Sequence, residues 1–254
     1  MIVITGPGRS GTSLVAQIYR ELGFDPGGFW IPEYNAGLED HEVVRANAAI
    51  IRDLRITVLA DSYGNEMLRR EIADPTDPPR SKFNWWLGNR AARLAALCLG
   101  RRADPLELID WSTFQNLVAV RGPALVEMAA RLPVVKDPYF CWTLAVWAAA
   151  GAQIDHVLVC VRNFDAMVES RFAAKQLFFS SRSGAKNSFV YGMGLCMMTV
   201  LEHRIPYSVV RFPDFLNNPE GLYNALRFPA PVTIDQFRDA FARVASADMV
   251  HDSR

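Results

Sequence analysis

The sequence is poor in cysteine, carries no surplus of charge and has no long apolar run, and each of these absences excludes a class of protein. No two of its four cysteines form a C-x-x-C pair, so neither a zinc site nor a dithiol redox centre is indicated; they are Cys98, Cys141, Cys160 and Cys196. No window reaches about 18 uncharged apolar residues, so no membrane span is expected. The N-terminus lacks a basic region ahead of an apolar segment, which predicts that there is no signal peptide and that the protein is cytoplasmic.

The charges of the chain balance, since 27 basic and 27 acidic residues give a formal net charge of zero over 254 residues. A neutral chain has no long-range field that would attract DNA or RNA, so no nucleic-acid partner is expected. Any anion that the protein binds must therefore be held by a local site. Half of the residues are hydrophobic, which is enough for a substantial core.

Apolar runs of strand length alternate with segments of helical periodicity along most of the chain. The predicted strands are Ile2 to Thr5, Pro133 to Lys136, His156 to Val161 and Tyr207 to Phe212. The predicted helices cover residues 12–22, 39–54, 85–99, 122–132, 140–150, 165–179 and 187–203, and residues 24–38 read as a loop. The alternation predicts an α/β fold in three layers, with a central parallel sheet flanked by helices. No break in composition divides the chain, so residues 1–254 are expected to form a single domain.

The segment between the first strand and the first helix, Gly6 to Ser13, is rich in glycine and in groups that donate hydrogen bonds to oxyanions. Glycines let the backbone curl its N–H groups around an anion, and the following helix adds its positive end. Arg9 supplies a charged fork of donors. The segment nearly matches the phosphate loop of nucleotide triphosphatases, but Thr12 stands where that pattern requires lysine. The best buried strand also ends in Arg162 rather than in an acid suited to hold magnesium.

Three segments resemble sulfotransferases that use 3′-phosphoadenosine 5′-phosphosulfate (PAPS). Arg9-Ser-Gly-Thr-Ser13 is similar to their 5′-phosphosulfate loop, and the strand ending in Arg162, with Ser170 on the next helix, is similar to their 3′-phosphate segment. Phe164 replaces the proline that the family usually has there. Lys136-Asp-Pro138 resembles a segment of the tyrosylprotein and carbohydrate sulfotransferases, in which the lysine faces the sulfuryl group. Weaker similarities lie at residues 35–40 and 209–220.

The resemblance implies a P-loop-like fold, PAPS as donor and in-line transfer of a sulfuryl group to a hydroxyl or amine, with 3′-phosphoadenosine 5′-phosphate (PAP) as product. The donor-binding residues that it implies are Gly8, Arg9, Ser10, Gly11, Thr12, Ser13, Arg162 and Ser170. Arg9 and Lys136 are the candidates to stabilise charge on the leaving oxygen. No metal is required by this scheme.

The acceptor must lose a proton, and three residues after the first predicted helix are candidates for the general base. Glu39 is favoured because it matches the stretch of the bacterial enzymes and lies at a predicted helix start, while Glu33 and His41 stay open. The acceptor class is a small molecule, a glycan or a lipid. Residues 56–118 are interpreted as a helical insertion on the acceptor side, with plain helical packing as the alternative. The oligomeric state, a homodimer included, is left open.

Two other functions remain as alternatives at this point. One is a small-molecule kinase or nucleotide triphosphatase with a degenerate phosphate loop. The other is a nucleotide-binding protein without catalysis, which the presence of both Arg9 and Lys136 disfavours.

Overall fold

A central sheet of four parallel strands organises the chain in a computed structural model that describes residues 1–31, 36–54, 111–173 and 182–245. In chain order its strands are β1 (Ile2–Thr5), β4 (Val134–Lys136), β5 (His156–Val161) and β6 (Tyr207–Arg211). Their spatial order is β4-β1-β5-β6, and all three pairings are parallel. Two further strands, β2 (Phe29–Ile31) and β3 (Ala36–Glu39), form a separate antiparallel pair.

Helices cover both faces of the sheet, so the predicted three-layer α/β fold is confirmed. They are α1 (Thr12–Glu21), α2 (His41–Asp53), α3 (Trp111–Arg131), α4 (Phe140–Ala149), α5 (Phe164–Ala173), α6 (Arg182–Glu202), α7 (Pro219–Ala225) and α8 (Ile234–Val244), with a short 3-10 helix at Asp214–Asn217. Within the described ranges, no helix is both long and apolar enough to cross a membrane.

Successive side chains of a strand point to opposite faces of the sheet, and each face packs against a different set of helices. One face presents Val3, Val135 and Val157 to α2, α3, α4 and α6. The other face presents Ile4 and Leu158 to α1, α7 and α8. Both faces being covered explains why β1 and β5 are continuous apolar runs rather than alternating ones.

The order of the strands locates the edge where a ligand is expected to bind. The chain passes from β1 to β4 on one side and then crosses to β5 on the other, so the direction of winding reverses beside β1. Open α/β sheets bind ligands outside the carboxyl ends of the strands at such a reversal. The glycine-rich segment follows β1, Lys136 ends β4 and Arg162 follows β5, so all three lie at this edge.

Several predicted boundaries were wrong. Residues 24–38, predicted as a loop, contain β2 and most of β3. Glu39 ends β3 instead of opening a helix, since the Asp40 side chain accepts from the backbone N–H groups of Glu42 (2.9 Å) and Val43 (3.1 Å) and caps α2. The helix α3 begins at Trp111, well before the predicted Gly122.

Part of the sequence prediction lies outside the described residues. The predicted helix at residues 85–99 does so entirely, and so does most of the predicted insertion at residues 56–118. The last part of that insertion, from Trp111, is the start of α3.

Candidate functional site

Two glycines shape the segment between β1 and α1, and neither could be replaced without strain. Gly6 has φ of 150°, and a Cβ there would lie 2.1 Å from the carbonyl oxygen of Cys160 in β5. Gly11 caps α1 with φ of 91°, and a Cβ there would lie 2.9 Å from the ring of Phe212. The segment therefore runs closer to β5 and to the end of β6 than any residue with a side chain allows. These two glycines make a tight connection between β1 and α1, and the phosphate loop that the sequence predicts there stays a prediction.

The polar side chains of this loop, Gly6 to Ser13, face different parts of the site. Arg9 has a left-handed φ of 73° and donates from Nε to the Ser170 hydroxyl at 3.0 Å. Ser10 is fully buried, and among the described residues its Oγ has no hydrogen-bond partner. Thr12 is buried at the first turn of α1, and the Ser13 hydroxyl accepts from the backbone N–H of Gly37 at 3.4 Å. An orphaned buried hydroxyl inside a glycine-rich loop at a helix N-terminus is the arrangement that an oxyanion would complete.

The second half of the predicted donor site lies beside β5. Arg162 follows the strand directly, and its guanidinium carbon lies 5.1 Å from the centroid of the Phe212 ring. Ser170 lies on α5, and its hydroxyl accepts the hydrogen bond from Arg9 Nε. The structure thus brings together Arg9 and Ser170, which the sequence had assigned to the 5′- and 3′-phosphate segments separately.

On the other side of the loop, Lys136 and Glu39 form a buried ion pair. Their side chains are only 2% and 5% exposed, and the Lys136 Nζ donates to Glu39 Oε1 and to the carbonyl oxygen of Gly37 at 3.1 Å. Both predicted catalytic residues are therefore buried, and they contact each other. The second carboxylate oxygen, Oε2, is buried and lacks a partner in the described part of the chain. Gly37 connects this pair to the loop, since it also donates to Ser13.

The residue after Lys136 anchors a hydrogen-bonded network that sequence reasoning missed. Asp137 is 1% exposed, and its two carboxylate oxygens accept from the Asn47 side-chain amide at 2.7 Å and from the backbone N–H of Tyr139 at 2.9 Å. The Asn47 carbonyl oxygen accepts in turn from the Thr143 hydroxyl and from the Trp147 indole N–H, each at 2.8 Å. These bonds fix the turn between β4 and α4, and they therefore fix the position of Lys136. The only signal in the sequence was Asn47 at a buried position of an apolar helix face, which is common without any special role.

Burial dominates the electrostatics of this network. Burial raises the pKa of Asp137 to about 7. The hydrogen bonds from Asn47 and Tyr139 and the charge of Lys136 lower the pKa, whereas the charge of Glu39 raises it further. Near neutral pH the carboxyl is thus divided between its neutral and charged forms.

Buried thiols lie beneath the loop, as expected for apolar positions. Burial raises the pKa of Cys160 to about 12, so that it stays a neutral thiol. The pKa of Cys141 is lowered, mainly by a hydrogen bond from Cys196, and its sulfur lies 3.5 Å from the Thr5 hydroxyl. Of the four cysteines, these three belong to the described residues, and all three are free.

The other two candidate bases are Glu33 and His41. Glu33 lies outside the described residues. His41 is exposed as the first residue of α2. Of the two candidates that the structure describes, Glu39 lies next to Lys136.

The strand register shows how far apart Lys136 and Arg162 lie along the direction of the strands. Lys136 and Leu158 both pair with Ile4, so they lie at one height. Arg162 lies four positions beyond Leu158, which at about 3.3 Å per residue raises its Cα about 13 Å above the level of Lys136. The loop lies between the two cations because β1 lies between β4 and β5. An elongated ligand with anionic groups at separate points fits this arrangement.

No group of three or more His, Cys, Asp and Glu side chains suited to a metal ion occurs within the described ranges. Comparison with protein-family models, with curated proteins and with solved structures finds no match to this chain.

Proposed function

We propose that this protein is a PAPS-dependent sulfotransferase whose donor binds along the carboxyl edge of the sheet. The observation that carries the proposal is the hydrogen bond from Arg9 to Ser170 at 3.0 Å. It joins the glycine-rich loop after β1 to the segment after β5, two stretches that independently resemble the two phosphate-binding segments of that family. A single ligand with phosphates at both ends would contact both.

The residues present fit such a donor. The loop offers backbone N–H groups at the start of α1, the Arg9 guanidinium and the Ser10 hydroxyl for a 5′-phosphosulfate. That hydroxyl has no hydrogen-bond partner in the described part of the chain. Arg162 and Ser170 would serve the 3′-phosphate. The donor supplies the activated sulfuryl group. All charge assistance in this scheme comes from side chains of the chain itself.

The buried pair of Lys136 and Glu39 supplies the two functions that transfer needs. Nζ of Lys136 uses two of its three N–H groups on Gly37 and Glu39, so the third can donate to an oxygen on which negative charge develops. Oε2 of Glu39 can accept the proton of an acceptor hydroxyl. A buried carboxylate oxygen that has no partner among the described residues is costly to the fold, and a role in accepting that proton would account for this cost.

The geometry around Asp137 counts against the kinase alternative. An acid at the end of a strand next to the loop is where a nucleotide triphosphatase holds its magnesium, and Asp137 follows β4 at that place. Both of its carboxylate oxygens accept hydrogen bonds from Asn47 and Tyr139, and burial raises its pKa to about 7. A carboxyl that is occupied and partly neutral is a poor ligand for a hard divalent cation.

Thermal unfolding with PAP, and separately with ATP and magnesium, tests the proposal. A ligand present at about a hundred times its dissociation constant stabilises the fold by about 2.7 kcal/mol, which raises the Tm by several degrees. We expect PAP alone to give this rise and Arg162→Ala to abolish most of it. Arg243→Ala is the matched control, because Arg243 is an exposed arginine paired with Glu21 at the far end of α1. A rise with ATP and magnesium, together with none for PAP, would overturn the proposal in favour of the kinase.

A further inference from the structure

The ring of Phe212 contacts Arg162 at the carboxyl edge of the sheet. The Phe212 backbone N–H donates to the carbonyl oxygen of Val161 at 2.8 Å, which extends the pairing of β6 with β5 by one residue and places Phe212 beside Arg162. The guanidinium carbon of Arg162 lies 5.1 Å from the ring centroid. This distance is within the range of a cation–π interaction, in which the ring attracts the charge and also limits where the guanidinium can go.

The Phe212 side chain also contacts the glycine-rich loop. Gly11 packs so closely on Phe212 that an added Cβ would lie 2.9–3.1 Å from three of its side-chain carbons. Phe215 packs edge-on against the same ring, with centroids 5.8 Å apart and planes inclined by 64°. Phe212 is 6% exposed. A ring confined by Gly11 and Phe215 cannot swing away from Arg162 without moving the loop.

We propose that Phe212 is a positioning residue of the donor site, which holds the Arg162 guanidinium in the orientation that receives the 3′-phosphate. The inference rests on the proposed function. An arginine side chain loses rotamer freedom when it clamps a phosphate, and a rigid surface beneath it removes part of that loss before the ligand arrives. Losing the ring therefore weakens binding of ligands that carry a 3′-phosphate and leaves binding of ligands without one nearly unchanged.

The test compares two ligands that differ only in the 3′-phosphate. Calorimetric titration gives the affinities of PAP and of adenosine 5′-monophosphate for the wild type, Phe212→Leu and Phe212→Tyr. The ratio of the two affinities should fall roughly threefold to thirtyfold in Phe212→Leu, the range of a cation–π contact. It should return to the wild-type value in Phe212→Tyr, which restores the ring.

Phe237→Leu is the matched control for a general loss of packing. Phe237 is fully buried on α8 in the same apolar cluster, and its ring contacts are with Tyr223, Phe228 and Phe241. The ratio of the affinities for PAP and adenosine 5′-monophosphate in Phe237→Leu should equal that of the wild type. If Phe212→Leu does not fold, Phe212→Met replaces it, since its flexible side chain fills more of the vacated space.

Two results would overturn the inference. A wild-type ratio in the Leu or Met variant would show that the ring does not position Arg162, and an equal loss in Phe237→Leu would assign the effect to packing. Failure of the proposed function has a different signature, because the wild type itself would then bind PAP no better than adenosine 5′-monophosphate.

Discussion

Replacing Asn47 by leucine should destabilise the protein by about 4 kcal/mol, because the amide has three buried hydrogen-bond partners and leucine has none. The Asp137 carboxylate would lose its 2.7 Å donor, and the Trp147 indole N–H would lose its acceptor at 2.8 Å. The Thr143 hydroxyl would keep the carbonyl oxygen of Tyr139 at 3.1 Å. Two orphaned buried groups at about 1–3 kcal/mol each give the expected cost.

Urea unfolding measures this cost, with Thr143→Val as the matched variant. Thr143→Val removes one donor to the Asn47 carbonyl oxygen and leaves the hydrogen bond from Trp147, so this variant should lose only about 1 kcal/mol of stability. A loss below about 1 kcal/mol in Asn47→Leu, or equal losses in the two variants, would refute the network as described.

The cost of Asn47→Leu should also depend on pH. Since burial raises the pKa of Asp137 from 3.8 to about 7, the folded protein holds a proton there over a range in which the unfolded chain has released it. The stabilisation from that proton is full below about pH 4 and is lost as the pH rises through about 7. Hydrogen bonds to a charged group are worth about 1 kcal/mol more than those to a neutral one. Asn47→Leu should therefore lose about 1 kcal/mol more at pH 8 than at pH 5.5, and an equal loss at both would contradict the assignment of the titration to Asp137.

Three further predictions concern the loop, the ion pair and a buried histidine. Gly6→Ala should cost about 2–6 kcal/mol in urea unfolding, from backbone strain and a clash with β5. Gly23 also has a positive φ, but a Cβ there would contact nothing, so Gly23→Ala should show the cost of the strain alone. Similar losses of stability in the two variants would contradict the close approach of Gly6 to β5. Lys136→Met should cost about 3–5 kcal/mol because it leaves the Glu39 carboxylate buried and unpaired. Adding Glu39→Gln should restore most of the stability but not the rate of the proposed sulfuryl transfer, which should stay at least about a hundredfold lower. Recovery of this rate in the double variant would exclude a catalytic role for Lys136 and Glu39. Burial lowers the pKa of His156 below 6.5. The contribution of the neutral imidazole to stability is therefore full above that pH and is lost as the pH falls, by at most about 1.4 kcal/mol per pH unit. His156→Leu should reduce the dependence of the unfolding free energy on pH below 6.5, and an unchanged dependence would assign it to other groups.

The parts of the fold that the sequence predicted well are those with strong local signals. The strands at the centre of the sheet are β-branched apolar runs, and β5 was predicted with its observed bounds, His156–Val161. The start of α3 was missed because Gly122 and Pro123 together suggest a helix boundary. In the structure α3 continues through both, and Gly122 permits close packing, since a Cβ there would lie 3.4 Å from that of Ala150. Tertiary packing thus overrides the local preference.

The candidate site was predictable in its loop and not in its long-range contacts. The loop is contiguous in sequence, so its glycines and donors could be read together. The pairing of Glu39 with Lys136 depends on β3 lying against β4, and strands of three or four residues carry too little periodicity to be predicted. The network around Asp137 joins α2, the turn after β4 and α4, and its buried bonds leave no pattern in any one segment. Distances between segments, rather than residue types, are what the sequence could not supply.

The most direct measurement of the central claim is a calorimetric titration of the wild-type protein with PAP in the absence of magnesium. The account predicts one PAP per chain, bound at least about tenfold more tightly than adenosine 5′-monophosphate, because a charged phosphate contact with arginine is worth about 1.5–3 kcal/mol. Absence of binding, or equal affinity for the two nucleotides, would contradict a donor site built from the loop after β1 and the arginine after β5.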